Sequence, residues 1–314
     1  MGTLIRRYGR AVLLALALSL TALTSAAQGS ELRQFSFPFE GVEREFRIYI
    51  PDNIDRFPGP RPLVIAIHGL ASSDIRLIDK TRGQFMALAD QYGFVVVYPR
   101  GLLRNWDLGQ GQLAALSRPR RDDLAYVEHV IALAAGMAPI DPERIFGVGF
   151  SQGAQMALAL ACTRPGLVRA IAMVAMTVPD FLVETCADAP AFGALMMHGT
   201  NDPVVPYQGG QLKFFKRSFD RFLSFDQSLA FFVARNGCRA EAEETQYLEA
   251  VSDDGTSVLI RRWRQCREGE TVGYAIIGGG HQWPREPQAL PTLLGRASQE
   301  IYPAREIWRF FSRQ

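Results

Sequence analysis

Apolar and polar positions along this chain follow two alternating patterns. The runs "PLVIAIHG" (62–69), "FVVVYPRG" (94–101) and "RIFGVGFS" (144–151) are apolar almost throughout. They predict short strands buried on both faces, as in a parallel sheet covered by helices. "REFRIYI" (44–50) alternates polar with apolar residues and predicts a half-buried edge strand. Between these runs the period lengthens. "TRGQFMALADQYG" predicts a helix stopped by Gly93, and "RDDLAYVEHVIALAAG" puts Leu124, Val127, Val130, Ile131 and Ala134 on one helical stripe. "SQGAQMALALAC" and "AREIWRFF" predict two more helices. "RAIAMVAM", "FGALMMHG" and "TVGYAIIGGG" predict further strands, with "SVLIRRWRQC" as an antiparallel partner for the last. Strands alternating with helices predict an α/β fold, a mostly parallel twisted sheet with helices on both faces and right-handed crossovers. In such sheets, sites form at the carboxyl ends of the strands.

Two stretches are less regular. Residues 101–121, "GLLRNWDLGQGQLAALSRPRR", are long for a connection, and long loops are more often functional than idle. From Gly209 to Phe232 the chain holds seven phenylalanines interspersed with Lys213, Lys216, Arg217 and Arg221. That composition predicts a helix packed on the core, with a wall over the site as the alternative.

The first segment stands apart. It has a basic start (Arg6, Arg7, Arg10), an apolar stretch from Ala11 to about Leu23, and small residues at Ser25 and Ala27. This is the pattern of a secretory signal cleaved after Ala27, too short in its apolar part for a membrane span. Residues 28–314 then form a single catalytic domain, without repeat, heptad or low-complexity linker. Because the segment carries three arginines and no acid, the formal charge of +2 becomes −1 after cleavage, and nothing favours nucleic-acid binding. The expected location is secreted or periplasmic. Four cysteines, Cys162, Cys186, Cys238 and Cys266, suit disulfides in an oxidising compartment. Proximity and placement favour the pairs Cys162–Cys186 and Cys238–Cys266. The spacing offers no zinc site.

The chemistry centres on "GFSQG" (149–153). It follows a predicted strand and opens a predicted helix, the context in which G-x-S-x-G holds a nucleophilic serine on a tight turn. Gly149 and Gly153 leave room for that turn, and the helix beginning at Ser151 points its positive end at a developing oxyanion. A serine hydroxyl needs a base. Of the four histidines, His129 lies within a helix, while His68 and His198 each sit in "HG" at a strand end. His281 follows "IIGGG" beyond the last sheet strand and is the base by position and elimination. Asp202, in the turn "GTNDP" beyond another strand, is the acid that orients it, with Asp180 and Asp188 as weaker rivals. The order Ser151, Asp202, His281 is that of the α/β-hydrolases. Oxyanion donors are expected at the amides of Gln152 and Leu70. Trp106, Phe150 and Trp283 are expected to converge on the acyl group.

The chain resembles the secreted esterases of the poly(3-hydroxybutyrate) depolymerase and feruloyl esterase family, within the α/β-hydrolases. The resemblance rests on "VIAIHG", "RDDLAYVEHVI", "RIFGVGFSQGAQMA", "MMHGTNDPVVPYQGG", "FFVARNGC" and "YAIIGGGHQWP", in that order from about Phe35 to Phe311. It implies the same nucleophile, acid and base, and the same oxyanion donors. Gln152 departs from the family, where alanine often follows the nucleophile. The expected activity is carboxylic-ester hydrolysis through an acyl-enzyme on hydroxycinnamoyl or related soluble esters, with no metal or organic cofactor. The expected partner is a small or oligomeric ester, with no nucleic acid, no stable membrane anchor after cleavage and no obligate protein partner. A 3-hydroxyalkanoate oligomer depolymerase, a peptidase, and a catalytically silent binding protein on the same fold are the alternatives.

Overall fold

In the computed structural model, which describes residues 31–111, 120–214, 217–248, 253–287 and 291–314, one ten-stranded sheet organises the chain. The expected signal segment lies outside the described residues. The sheet begins with the hairpin of β1 (Leu32–Phe39) and β2 (Val42–Tyr49), then β3 (Arg61–Ile67), β4 (Val95–Pro99), β5 (Ile140–Phe150), β6 (Ala170–Val174) and β7 (Gly193–Gly199). A separate hairpin, β8 (Gly210–Phe214) with β9 (Arg217–Phe222), interrupts it. The chain returns through β10 (Glu244–Leu248), β11 (Ser257–Trp263) and β12 (Thr271–Ile277). The spatial order is β1-β2-β4-β3-β5-β6-β7-β12-β11-β10.

The six strands from β4 to β12 across the centre run parallel, and antiparallel strands close both sides. The helices are α1 (Asp74–Lys80), α2 (Gln84–Tyr92), α3 (Asp123–Met137), α4 (Gln152–Thr163), α5 (Asp180–Ala187), α6 (Phe225–Arg235), α7 (Pro291–Leu294) and α8 (Pro303–Phe311). Strand β3 shows why the central strands read as continuous apolar runs. Leu63, Ile65 and Ile67 face a core with α3, α4 and α6, while Val64 and Ala66 face one with α1, α2 and α8. Both faces are buried, so no position is left for a polar residue.

Two expectations are corrected. Residues 44–50 do not form the edge, because β1 covers them through a turn in which Glu40 and Gly41 take φ of 50° and 78°. Strand β1 carries Pro38, which an edge strand tolerates because its outward N–H needs no ladder partner. The phenylalanine-rich stretch is not a helix before Phe225. Gly209 and Gly210, at φ of 76° and 111°, turn the chain into the β8–β9 hairpin. Phe222 then bridges to Pro179, and the Leu223 amide donates to the Val178 carbonyl at 2.9 Å. Tertiary pairing overrides the helical reading here. The helix α6 starts only at Ser224, which forms a capping box with Gln227. Phe219, Phe222, Phe225 and Phe232 are buried in the core.

Disulfides join Cys162 to Cys186 and Cys238 to Cys266. The first ties the end of α4 to the end of α5, and the second ties the residues after α6 to those after β11. They close loops of 24 and 28 residues, which restricts the unfolded chain. Replacing Cys162 and Cys186 together by alanine should therefore lower the unfolding free energy by roughly 2–4 kcal/mol. Urea unfolding of the double variant beside the parent measures this. An unchanged midpoint would show that the crosslink contributes nothing to stability.

Candidate active site

Strand β3 neighbours both β4 and β5, so the sheet order reverses at its carboxyl end. Crevices at such reversals are where open α/β sheets form sites. Ser151 stands there, between β5 and α4, with φ 54° and ψ −123°. A non-glycine residue at this conformation is strained and persists only where its surroundings hold it. The Ser151 amide donates to Val174 of β6 at 2.8 Å, and its carbonyl accepts from the Ala154 amide at 2.8 Å. The turn is tight on both flanks. A β-carbon at Gly149 would lie 2.1 Å from the Gly153 carbonyl oxygen, and one at Gly153 would lie 2.2 Å from that of Ile67.

The structure brings Ser151, His281 and Asp202 together from three strand ends. His281 accepts from the Ser151 hydroxyl at Nε2, 2.9 Å away, and donates from Nδ1 to Asp202 Oδ2 at 2.7 Å. Asp202 uses its other oxygen to accept the amides of Val204 and Val205 at 2.7 and 2.8 Å. Burial alone raises the Asp202 pKa, but the adjacent His281 imidazole and these donors outweigh it and leave the group below the ordinary carboxylate value. The loops carrying Asp202 and His281 are sewn together. The Asn201 amide donates to Gly279, and the Gly278 amide donates to the Thr200 hydroxyl, both at 2.9 Å. Asp180 opens α5 and Asp188 follows its end, and neither bonds to this cluster.

His198 and His68 do different work. His198 is buried and donates from Nε2 to the Val205 carbonyl, which steadies the Asp202 turn; burial holds its pKa down. His68 ends β3 and is also buried. It accepts the Gly101 amide at Nε2, 2.9 Å away, and donates from Nδ1 to the Gly69 carbonyl at 2.8 Å. It thereby joins the turn after β3 to the 101–107 loop. Leu70 and Gln152 both line the cavity above Ser151. The Gln152 amide opens α4 and has no carbonyl one turn back to bond. The Gln152 side chain turns away from the cavity. It donates to Asn105 Oδ1 at 2.7 Å and to the Trp106 carbonyl at 3.2 Å, binding the elbow to the same loop. Arg121 and Asp123, from "RDD", anchor that loop from behind through the Asn105 carbonyl and the Asp107 amide.

The cavity is about 610 Å³ and is lined by Phe150, Met176, Val204 and Leu212 besides Ser151 and His281. Of the three aromatic rings expected there, only Phe150 is in its wall. Trp106 is a correction: it is fully buried, stacks against His68 and donates from Nε1 to the His68 carbonyl at 2.7 Å. Trp283 is a second correction. It is buried behind Phe150, edge-on to Phe85. An indole at the end of a short loop reaches the core before it reaches solvent, which sequence position alone does not reveal. His129 lies exposed on α3. From the phenylalanine-rich stretch, the cavity takes Leu212. Among the residues that sequence reasoning missed, Lys80 and Glu286 line the cavity as a charged pair, from positions 206 residues apart.

Burial lowers the His68 pKa to about 4, from an ordinary value of 6.5. The unfolded chain therefore binds more protons between those values, and stability falls as the pH drops from about 6.5 towards 4. Between pH 7 and pH 4 the parent should lose roughly 3 kcal/mol more than a His68→Gln variant, which cannot titrate there. Urea unfolding of both proteins at the two pH values is the measurement. Equal losses would mean that His68 is not held neutral by the fold.

Comparison with known proteins agrees with this architecture. The phospholipase/carboxylesterase family profile matches residues 124–223, from α3 through the turn at Ser151 to the end of β9. Feruloyl esterase D of Neurospora crassa is 27% identical over 286 residues, covering 87% of this chain and 83% of that protein. Feruloyl esterase C of Emericella nidulans is 27% identical over 243 residues, 76% of each chain. Among solved structures, an acetyl xylan esterase from Aspergillus awamori superposes with a TM-score of 0.59 at 16% identity, covering 90% of this chain and all of that one. The chain thus has the α/β-hydrolase fold and is similar to feruloyl-type esterases.

Proposed function

We propose that this protein is an exported serine esterase that cleaves carboxylic esters through an acyl-enzyme. The observation that carries the reading is the hydrogen-bond relay from Ser151 through His281 to Asp202, opening onto a cavity. Ser151 Oγ attacks the ester carbonyl while His281 Nε2 takes its proton, and Asp202 stabilises the imidazolium. The amides of Leu70 and Gln152 receive the oxyanion. Collapse of the tetrahedral intermediate expels the alcohol, which takes the proton back from His281. Water, deprotonated in turn by His281, then releases the acid and restores Ser151.

Hydroxycinnamoyl or related soluble esters are the proposed substrates. Two observations support this: the feruloyl esterases to which the chain is similar, and the Phe150 ring in a largely apolar cavity wall. An aromatic pair of this kind contributes about 0.5–1.5 kcal/mol beyond burial. Export is supported by the N-terminal signal pattern together with two disulfides in a domain taken as residues 28–314.

Ser151→Ala and His281→Ala should each lower kcat/KM on methyl ferulate and 4-nitrophenyl acetate by about 10⁴-fold or more, with the circular dichroism spectrum unchanged. Asp202→Asn should cost about 10⁴-fold in kcat. Near-full turnover by Ser151→Ala would sink the mechanism. Separately, methyl ferulate should be hydrolysed with higher kcat/KM than a 3-hydroxybutyrate dimer ester. The reverse ranking would move the protein to the hydroxyalkanoate esters.

A further inference from the structure

Lys80, the last residue of α1, and Glu286, five residues after His281, meet across the cavity wall as an ion pair through Glu286 Oε1. Their side chains are only 14% and 11% exposed, yet both line the cavity. The second carboxylate oxygen, Glu286 Oε2, has no hydrogen-bond partner among the described residues although it is buried. Buried polar atoms of folded proteins rarely stay unpaired, and each exception calls for an explanation. The pair also stands close to the reacting centre. Lys80 Nζ lies 4.6 Å from the Phe150 ring centroid, and that ring lies 5.3 Å from the His281 imidazole.

The backbone holds Glu286 in place. Arg285 takes φ 63°, its amide donates to the Ser298 carbonyl at 2.8 Å, and the Glu286 amide donates to the Trp283 carbonyl at 3.0 Å. A positive φ on a non-glycine residue is a local cost that the surrounding loop must hold.

Resting on the esterase reading of this site, we infer that Lys80 and Glu286 form a subsite that recognises a neutral hydroxyl group on the substrate ester. A carboxylate oxygen without a partner accepts a hydrogen bond, and the adjacent ammonium donates. A hydroxyl is the smallest neutral group that does both at a single atom. The charges argue against an ionic ligand. Among the described residues the cavity also carries Arg76 and Asp79, so cations and anions number two each there. At this subsite a charged substrate group would meet a like charge beside the opposite one.

The hydroxyl can sit on the acyl or the alcohol side of the ester, and matched pairs separate the two. Methyl 4-hydroxycinnamate is compared with methyl cinnamate, and glycerol monoacetate with propyl acetate. One pair should show a preference of roughly tenfold to a hundredfold in kcat/KM for the hydroxylated member, the effect of one hydrogen bond to a charged group. The readout is the ratio within each pair, so a general loss of activity cancels. In the double variant Lys80→Met/Glu286→Leu, which removes both charges together and strands neither, that ratio should fall to about one. Glu286→Gln alone should reduce it, which covers a double variant that does not fold. The same ratios, measured as Kd with the Ser151→Ala protein, keep the subsite testable without turnover. Absence of turnover on any ester would therefore count against the esterase reading alone. No preference in either pair, or a preference that survives both variants, would overturn the subsite.

Discussion

The site depends on how closely strand β5 and helix α4 approach the carbonyls of β3. With a β-carbon at Gly149 or Gly153, oxygen atoms of the backbone would stand little more than 2 Å away. No side-chain rearrangement relieves such a clash, because the obstacle is main chain. The two glycines therefore do more than permit a turn. They let α4 pack onto the sheet so that its first amide and the Ser151 hydroxyl emerge at the same end of β5. The strained φ and ψ of Ser151 follow from that packing, since an unstrained residue would carry the hydroxyl elsewhere.

Around this contact the buried polar groups divide by charge. Two buried histidines are held neutral by desolvation, and each helps to fix a loop: His68, through both ring nitrogens, the turn carrying Leu70, and His198, through Nε2, the turn carrying Asp202. Asp202 is the contrasting case, a buried carboxylate whose charged form is favoured by three donors, the amides of Val204 and Val205 and the His281 imidazole. Neutral imidazoles hold the frame, and the Asp202 carboxylate sits against the His281 ring. Gln152 and Trp106 extend the frame. In the sequence Trp106 reads as a pocket side chain and Gln152 as a backbone donor, and both side chains turn inward to join the elbow, the turn after β3 and the loop behind them.

What the sequence by itself determined is mostly what short-range chemistry controls. The central strands were legible because each is apolar at successive positions, which only a strand buried on both faces tolerates. That Ser151, Asp202 and His281 would meet was legible because each lies within four residues of the end of such a strand, and strand ends in a parallel sheet converge. The cysteine pairs lie close in sequence and at the ends of adjacent elements, so proximity in the chain was proximity in space.

Tertiary structure decided the rest, and the reason is sequence distance. The edge strand β10 carries little apolar signal because most of its residues face solvent. The phenylalanine-rich stretch became a hairpin because Pro179 and Val178, more than thirty residues earlier, were there to pair with it. Trp106 and Trp283 occupy positions in the chain that suit a substrate pocket, but whether an indole faces a cavity or the core depends on which neighbours fill the space first. Lys80 and Glu286 are two ordinary charged residues 206 positions apart. No local pattern distinguishes them, because their pairing exists only once α1 and the loop after His281 have packed against the same ring of Phe150.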